Sequence, residues 1–126
     1  MKTSINWINK TILIADDECA NYLLFEGILK HTNAKLIWAK NGQEALNICE
    51  HNDEIKLVLM DINMPVMNGF DSTRAIRKLK PNLPIIAQSA NNLITVEMKE
   101  AGFNDFIQKP FKIIGLLNKI IKYVNV

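Results

Sequence analysis

Cysteine is scarce in this chain. The 126 residues hold two, Cys19 and Cys49, with no CxxC spacing. That argues against a disulfide framework or a thiolate zinc site and favours a reducing compartment. Both thiols fall in expected helices and read as small buried hydrophobes. Long apolar runs are missing too, so nothing reaches bilayer-spanning length. The opening Met1–Lys10 has no signal-peptide core, which makes the cytoplasm the default location and direct membrane contact unexpected. Neither sign of charge dominates: a net charge of +2 leaves no basic footprint for direct nucleic-acid binding. Internal repeats and low-complexity segments are absent. The two histidines are isolated; His31 reads as a helix-end residue in contact with the dipole, His51 as a loop residue, and neither as a phosphodonor.

Apolar residues make up 48% of the chain, enough for one domain with a real core. The most informative stretch is Leu57–Gly69. Leu57-Val58-Leu59-Met60 runs without polar interruption, as in a central strand of a parallel sheet buried on both faces. Asp61 follows at once. Pro65 and the Asn68-Gly69 pair then mark a loop.

Around that stretch the chain alternates strand and helix. Strands are expected at Thr11–Ala15, Lys35–Ala39, up to Asp61, at Leu83–Gln88 (with Pro84 at its first position) and at Asp105–Gln108. The intervening helices carry Leu24/Ile28 and Phe25/Leu29, then Ala45, Leu46, Ile48 and Cys49, then Ala75, Ile76 and Leu79. A weak helix covers roughly Thr95–Ala101, ended by Gly102. The last helix has one apolar stripe of Ile113, Leu116, Leu117, Ile120, Ile121 and Val124. Residues 1–10 read as a lead-in or linker and 11–126 as the domain; Trp7 either caps the core edge or belongs to the linker. Five βα units with right-handed crossovers give an α/β fold, a doubly wound five-stranded parallel sheet in a three-layer sandwich.

Every strand of such a sheet ends on the same edge, where open α/β sheets bind ligands. Asp16, Asp17, Asp61, Ser89 and Lys109 all fall at strand ends on that edge. Three carboxylates in a partly dry crevice repel one another, so one must take up a proton or a cation must neutralise them. The candidate ligands are all oxygens, which suits Mg²⁺; zinc would want His or Cys. With its charge offset, Asp61 could accept a phosphoryl group. Lys109 could pair with phosphoryl oxygens as a point charge, and Ser89 could donate a hydrogen bond to them. Phosphoryl transfer asks mainly for positioning and charge stabilisation, which these groups could supply. Each group has a plainer reading when taken alone. Asp16 and Asp17 would cap a helix, Ser89 would sit in a turn, Phe106 would be core, and Lys109 would be solvated, as would the face of Lys112, Lys119 and Lys122. It is the ordered set that favours a site.

The chain resembles a response-regulator receiver domain of two-component signalling over about residues 11–124. The motifs are Asp16-Asp17, Asp61 followed by Met64-Pro65 and Asn68-Gly69, Ser89-Ala90, and Lys109-Pro110. The resemblance implies a flavodoxin-like strand order and a phosphoacceptor at Asp61. It implies Mg²⁺ bound directly by Asp17, Asp61 and the carbonyl of Asn63, with Asp16 acting through water. It makes Ser89 and Phe106 the switch residues, lets Asn63 and Asn91 tune phosphoryl lifetime, and makes Lys109-Pro110 a candidate cis bond. It implies a histidine kinase or histidine phosphotransfer domain as donor. A downstream relay protein or output domain would be met through the helix 4, strand 5, helix 5 face. Such a domain is not a free-standing enzyme, although it assists its own phosphorylation and dephosphorylation. The segments NWINKTILIADDE and LIWAKNGQEAL resemble receivers fused behind sensor histidine kinases, which would make this the cytoplasmic portion of a hybrid kinase.

Three positions depart from the family pattern. Phe106 stands where tyrosine is frequent, Ser89 where threonine is frequent, and the segment from Ser89 to Ala101 is slightly short. Three rival readings exist. A phosphorylation-independent interaction module would not need the intact acids and lysine. A Mg²⁺-dependent phosphohydrolase would want an acid where Asn63 stands. An electron carrier would want a phosphate cradle after strand one, where acids stand instead.

Overall fold

The uninterrupted apolar runs become the middle of a sheet. In the computed structural model, which describes residues 5–90 and 96–124, the elements follow in strict alternation. They are β1 (Thr11–Ala15), α1 (Cys19–Leu29) with a 3₁₀ turn at Lys30–Thr32, β2 (Lys35–Ala39), α2 (Gly42–His51), β3 (Ile55–Asp61), α3 (Gly69–Leu79), β4 (Ile85–Ser89), α4 (Val96–Ala101), β5 (Asp105–Gln108) and α5 (Ile113–Val124). All strand pairs are parallel, in the order β2-β1-β3-β4-β5. The expected fold is therefore the observed one, and β1, β2 and β5 have the bounds read from the sequence. The fourth strand starts later than expected, at Ile85. Pro84 has no N–H to give the ladder, although its carbonyl still accepts from Val58 N at 3.0 Å.

The period of two along each strand divides the core. Ile12, Ile14, Leu57, Leu59, Ile86 and Ile107 face α1 and α5, meeting Phe25, Leu29, Leu116, Ile120 and Val124. Leu13, Ala15, Val58, Met60 and Ile85 face the other way, onto Ala45 and Cys49 of α2 and Ile76 of α3. A smaller cluster of Ile62, Ala87, Met98 and Phe106 completes that second face beneath α4. Trp7 is 3% exposed and packs into the α1/α5 layer. Its backbone N donates to Thr32 O at 2.6 Å. Of its two sequence readings, the core one holds.

Four local expectations fail. Cys19 is exposed, because the first turn of α1 stands clear of the sheet; Cys49 is buried. Leu24 and Ile113 are exposed despite fitting their apolar stripes. Each stripe is wider than the strip of helix that meets the sheet, and its flanking members remain in solvent. His51 is the last residue of α2 and not a loop residue; its Nδ1 lies 2.8 Å from Asn47 O. Lys119 is less solvated than its helix face suggested, since it bonds Asp105 and the carbonyl of Phe106.

Candidate functional site

Five parallel strands present their C-terminal ends on one edge, and the site is built there. Asp16 follows β1 directly. Its N–H continues the ladder to Ala39 O at 3.0 Å, which places its fully buried carboxylate (0% exposed) at the sheet edge. Glu18 N donates to Asp16 Oδ1 at 2.9 Å. Asp17 is exposed. Asp61 closes β3 and is 6% exposed.

The chain turns sharply after Asp61. Gly69 N donates to Ile62 O at 2.8 Å, and a side chain at Gly69 would overlap the carbonyl of Asp61. Only glycine lets α3 begin so close beneath the acid. Asn68 caps that helix, accepting from Asp71 N at 2.9 Å. Within the loop, Val66 adopts a φ of 70°, a costly conformation for a β-branched residue.

One oxygen from each of Asp16, Asp17 and Asp61 can be chosen so that all lie within 4.8 Å of one another. Lys109, brought by the end of β5, places Nζ 3.3 Å from Asp16 Oδ2 and 3.4 Å from Asp61 Oδ2. Its backbone N–H donates to Ser89 O at 2.7 Å, and the Lys109-Pro110 peptide is cis. Burial, the largest influence, pushes the Asp61 carboxyl up to about 6; Lys109 pulls it back, Asp16 pushes it higher, and the N–H of Asn63 (3.3 Å) favours the ionised form. One ammonium thus serves two buried carboxylates with a third nearby. A hard divalent cation held by oxygens fits that excess of negative charge.

The other candidate residues lie at stated places around this centre. Asn63 is exposed at the start of the loop after Asp61. Ser89 is the buried last residue of β4, one step beyond the Asp61–Gln88 pair of the register. Phe106 is buried beside Ile62, Ala87 and Met98. Asn91 lies outside the described residues. Two neighbours went unnoticed in the sequence. Trp38 Nε1 donates to the carbonyl of Asp16 at 2.8 Å. Gln88 is 1% exposed, and its amide has no partner among the described residues. Strand patterning signals burial at both positions but not the direction of a polar atom.

Comparisons with known proteins identify the family. A family model described as the response regulator receiver domain matches residues 12–121. The chemotaxis protein CheY of Thermotoga maritima is 37% identical over 123 residues, covering 91% of this chain and 100% of that protein. The receiver domain of sensor histidine kinase PA1611 from Pseudomonas aeruginosa was solved with magnesium coordinated in its active site cleft. It is 29% identical with a TM-score of 0.84, over 92% of this chain and 98% of that one. A structure of the Saccharomyces cerevisiae phosphotransfer protein Ypd1 with the receiver domain of its downstream regulator Ssk1 matches at 25% identity and a TM-score of 0.87, over 98% of this chain and 92% of that one. An acid-lined sheet edge on this topology, matched along nearly all of the sequence, makes the chain a member of the response regulator receiver domain family, a signalling domain of two-component systems.

Proposed function

We propose that Asp61 is the phosphoacceptor and that it works with Mg²⁺. The observation that carries this reading is the convergence of buried Asp16 and Asp61 on a single lysine, with Asp17 beside them. Asp16, Asp17, Asp61 and the carbonyl of Asn63 would hold the cation. When bound, it offsets the carboxylate charge and that of the incoming phosphoryl group. In the transfer, an oxygen of Asp61 attacks phosphorus while the bond from phosphorus to the donor imidazole nitrogen breaks. The imidazole leaves with that electron pair and Asp61 becomes an acyl phosphate. Lys109 faces the new charge, Ser89 donates its hydroxyl to a phosphoryl oxygen, and Asn63 with Asn91 governs how readily water attacks.

Signalling then follows from a shift of Ser89 and Phe106. Phe106 lies beneath α4 in the small cluster with Met98. Its repacking would reshape the α4, β5, α5 face, where an output domain or relay protein would dock. The donor would be a phosphohistidine of a kinase or phosphotransfer domain, as the likeness to the Ypd1-bound receiver suggests. No helix of the described residues is long and apolar enough to cross a membrane. A cytoplasmic site of action, alone or as part of a hybrid kinase, fits the kinase-receiver likeness. Acetyl phosphate with Mg²⁺ should add a phosphoryl group, read by intact mass, and Asp61→Asn should abolish it. Equal labelling of Asp61→Asn would refute the assignment.

A further inference from the structure

We propose that Trp38 is a positioning residue for the acid pair. Its indole N–H fixes the peptide between Asp16 and Asp17, and so sets where Asp17 stands relative to the two buried carboxylates. The inference rests on the metal-assisted reading of those acids.

Trp38 occupies β2 in register with Ile14 of β1, and Ala39 is in register with Ala15. The ladder continues one step further, from Asp16 N to Ala39 O. There β1 leaves the sheet. Glu18, the N-cap of α1, makes no capping bond through its side chain, so the turn from strand to helix is not held by the usual device. The carbonyl of Asp16 points back across the sheet edge and receives the indole N–H at 2.8 Å over a separation of 22 residues. A peptide unit is planar. Fixing that carbonyl therefore fixes the nitrogen and Cα of Asp17 as well.

The indole is itself held in place. Tyr22 of α1 stacks on it, with centroids 4.9 Å apart and planes 10° from parallel. The ammonium of Lys40 lies 5.2 Å from its centroid. The ring thus joins α1 to the turn after β2, and the Asp16-Asp17 peptide is tied into that join. Asp16 has further anchors in Glu18 N and Lys109. Asp17 is exposed and takes its place from its backbone. Residues that orient metal ligands from behind commonly matter for affinity by an order of magnitude.

The test is a calorimetric Mg²⁺ titration of wild type and Trp38→Phe, which keeps an aromatic ring in the stack and deletes the donor. The expected result is an affinity about tenfold weaker, with the metal-free melting temperature little changed. Unchanged affinity would overturn the proposal, since a packing role alone predicts it. If wild type itself binds no Mg²⁺, the metal reading fails and this one with it. A second measurement does not depend on how the variant folds. The chain has two tryptophans, so the indole N–H resonances of wild type are easily followed during the titration. That of Trp38 should move with the calorimetric midpoint, while that of Trp7, at the opposite edge of the sheet, should stay in place. A stationary Trp38 resonance would overturn the proposal.

Discussion

Asp61 is the side chain whose proposed task conflicts with its surroundings. Phosphoryl acceptance needs it ionised, yet burial holds its carboxyl at about 6 against an ordinary 3.8. A carboxyl raised on folding stabilises the protein fully below its unfolded value, and that contribution is lost as pH rises through the folded value. Metal-free protein should therefore lose stability between about pH 4 and pH 7. The full shift corresponds to about 3 kcal/mol at ~1.36 kcal/mol per unit. Asp61→Asn should accordingly raise metal-free stability at pH 7.5 by about 1–3 kcal/mol, measured by urea unfolding. A loss of stability in that variant would contradict the electrostatic account. Lys109 is the counterweight. Lys109→Ala leaves two buried carboxylates facing each other without their shared cation, a costly arrangement. Phosphoryl labelling should persist in Lys109→Ala, while the phosphoryl-dependent NMR shifts around Ser89 and Phe106 should vanish. Wild-type shifts in that variant would remove Lys109 from the coupling.

The lead-in is tied to the turn before β2 and to the core beneath α1 and α5. Trp7 fills the α1/α5 layer, Trp7 N–H reaches Thr32 O, and Lys35 N–H reaches Lys10 O at 2.9 Å. Because Trp7 is buried in that layer, we propose a domain boundary upstream of it. Trp7→Ala should cost about 3–5 kcal/mol, the usual range for emptying a large aromatic site. A cost near that of a surface substitution would place the boundary at Thr11 instead. Opposite, at the lower end of α3, Arg77 donates to the carbonyls of Lys80, Pro81, Leu83 and Gly102. It also donates to Asn104 Oδ1, which accepts from Ile85 N as well. That staple joins the β4 and β5 approaches without a carboxylate.

Elements of this kind show what a sequence can disclose. The strands were legible because Leu57–Met60 and Ile12–Ile14 are apolar on both faces, and the acids because they follow such runs at once. The exposure of Cys19, Leu24 and Ile113 was not legible. Helical periodicity gives the direction of a face and not how far the sheet beneath it extends. The bonds from Trp38 to Asp16 and from Arg77 to Gly102 and Asn104 were hidden for another reason: each joins segments more than twenty residues apart, and a side-chain donor carries no mark of its acceptor.

At the scale of the molecule, the sheet turns separate stretches of chain into one edge. β1 delivers Asp16, β3 delivers Asp61, β4 delivers Ser89 and β5 delivers Lys109, and parallel topology alone makes them neighbours. A ligand that binds the folded edge and not the unfolded chain must stabilise the whole domain. Mg²⁺ should therefore raise the melting temperature of wild type and do so much less for Asp17→Asn. On the proposed function, this edge makes one aspartate able to carry a phosphoryl group. The most direct measurement phosphorylates the chain with acetyl phosphate and Mg²⁺, reduces the acyl phosphate with borohydride, and reads the modified position by peptide mass spectrometry. Homoserine at position 61, dependent on Mg²⁺, is the predicted result; reduction products at another acid, or none, would contradict it.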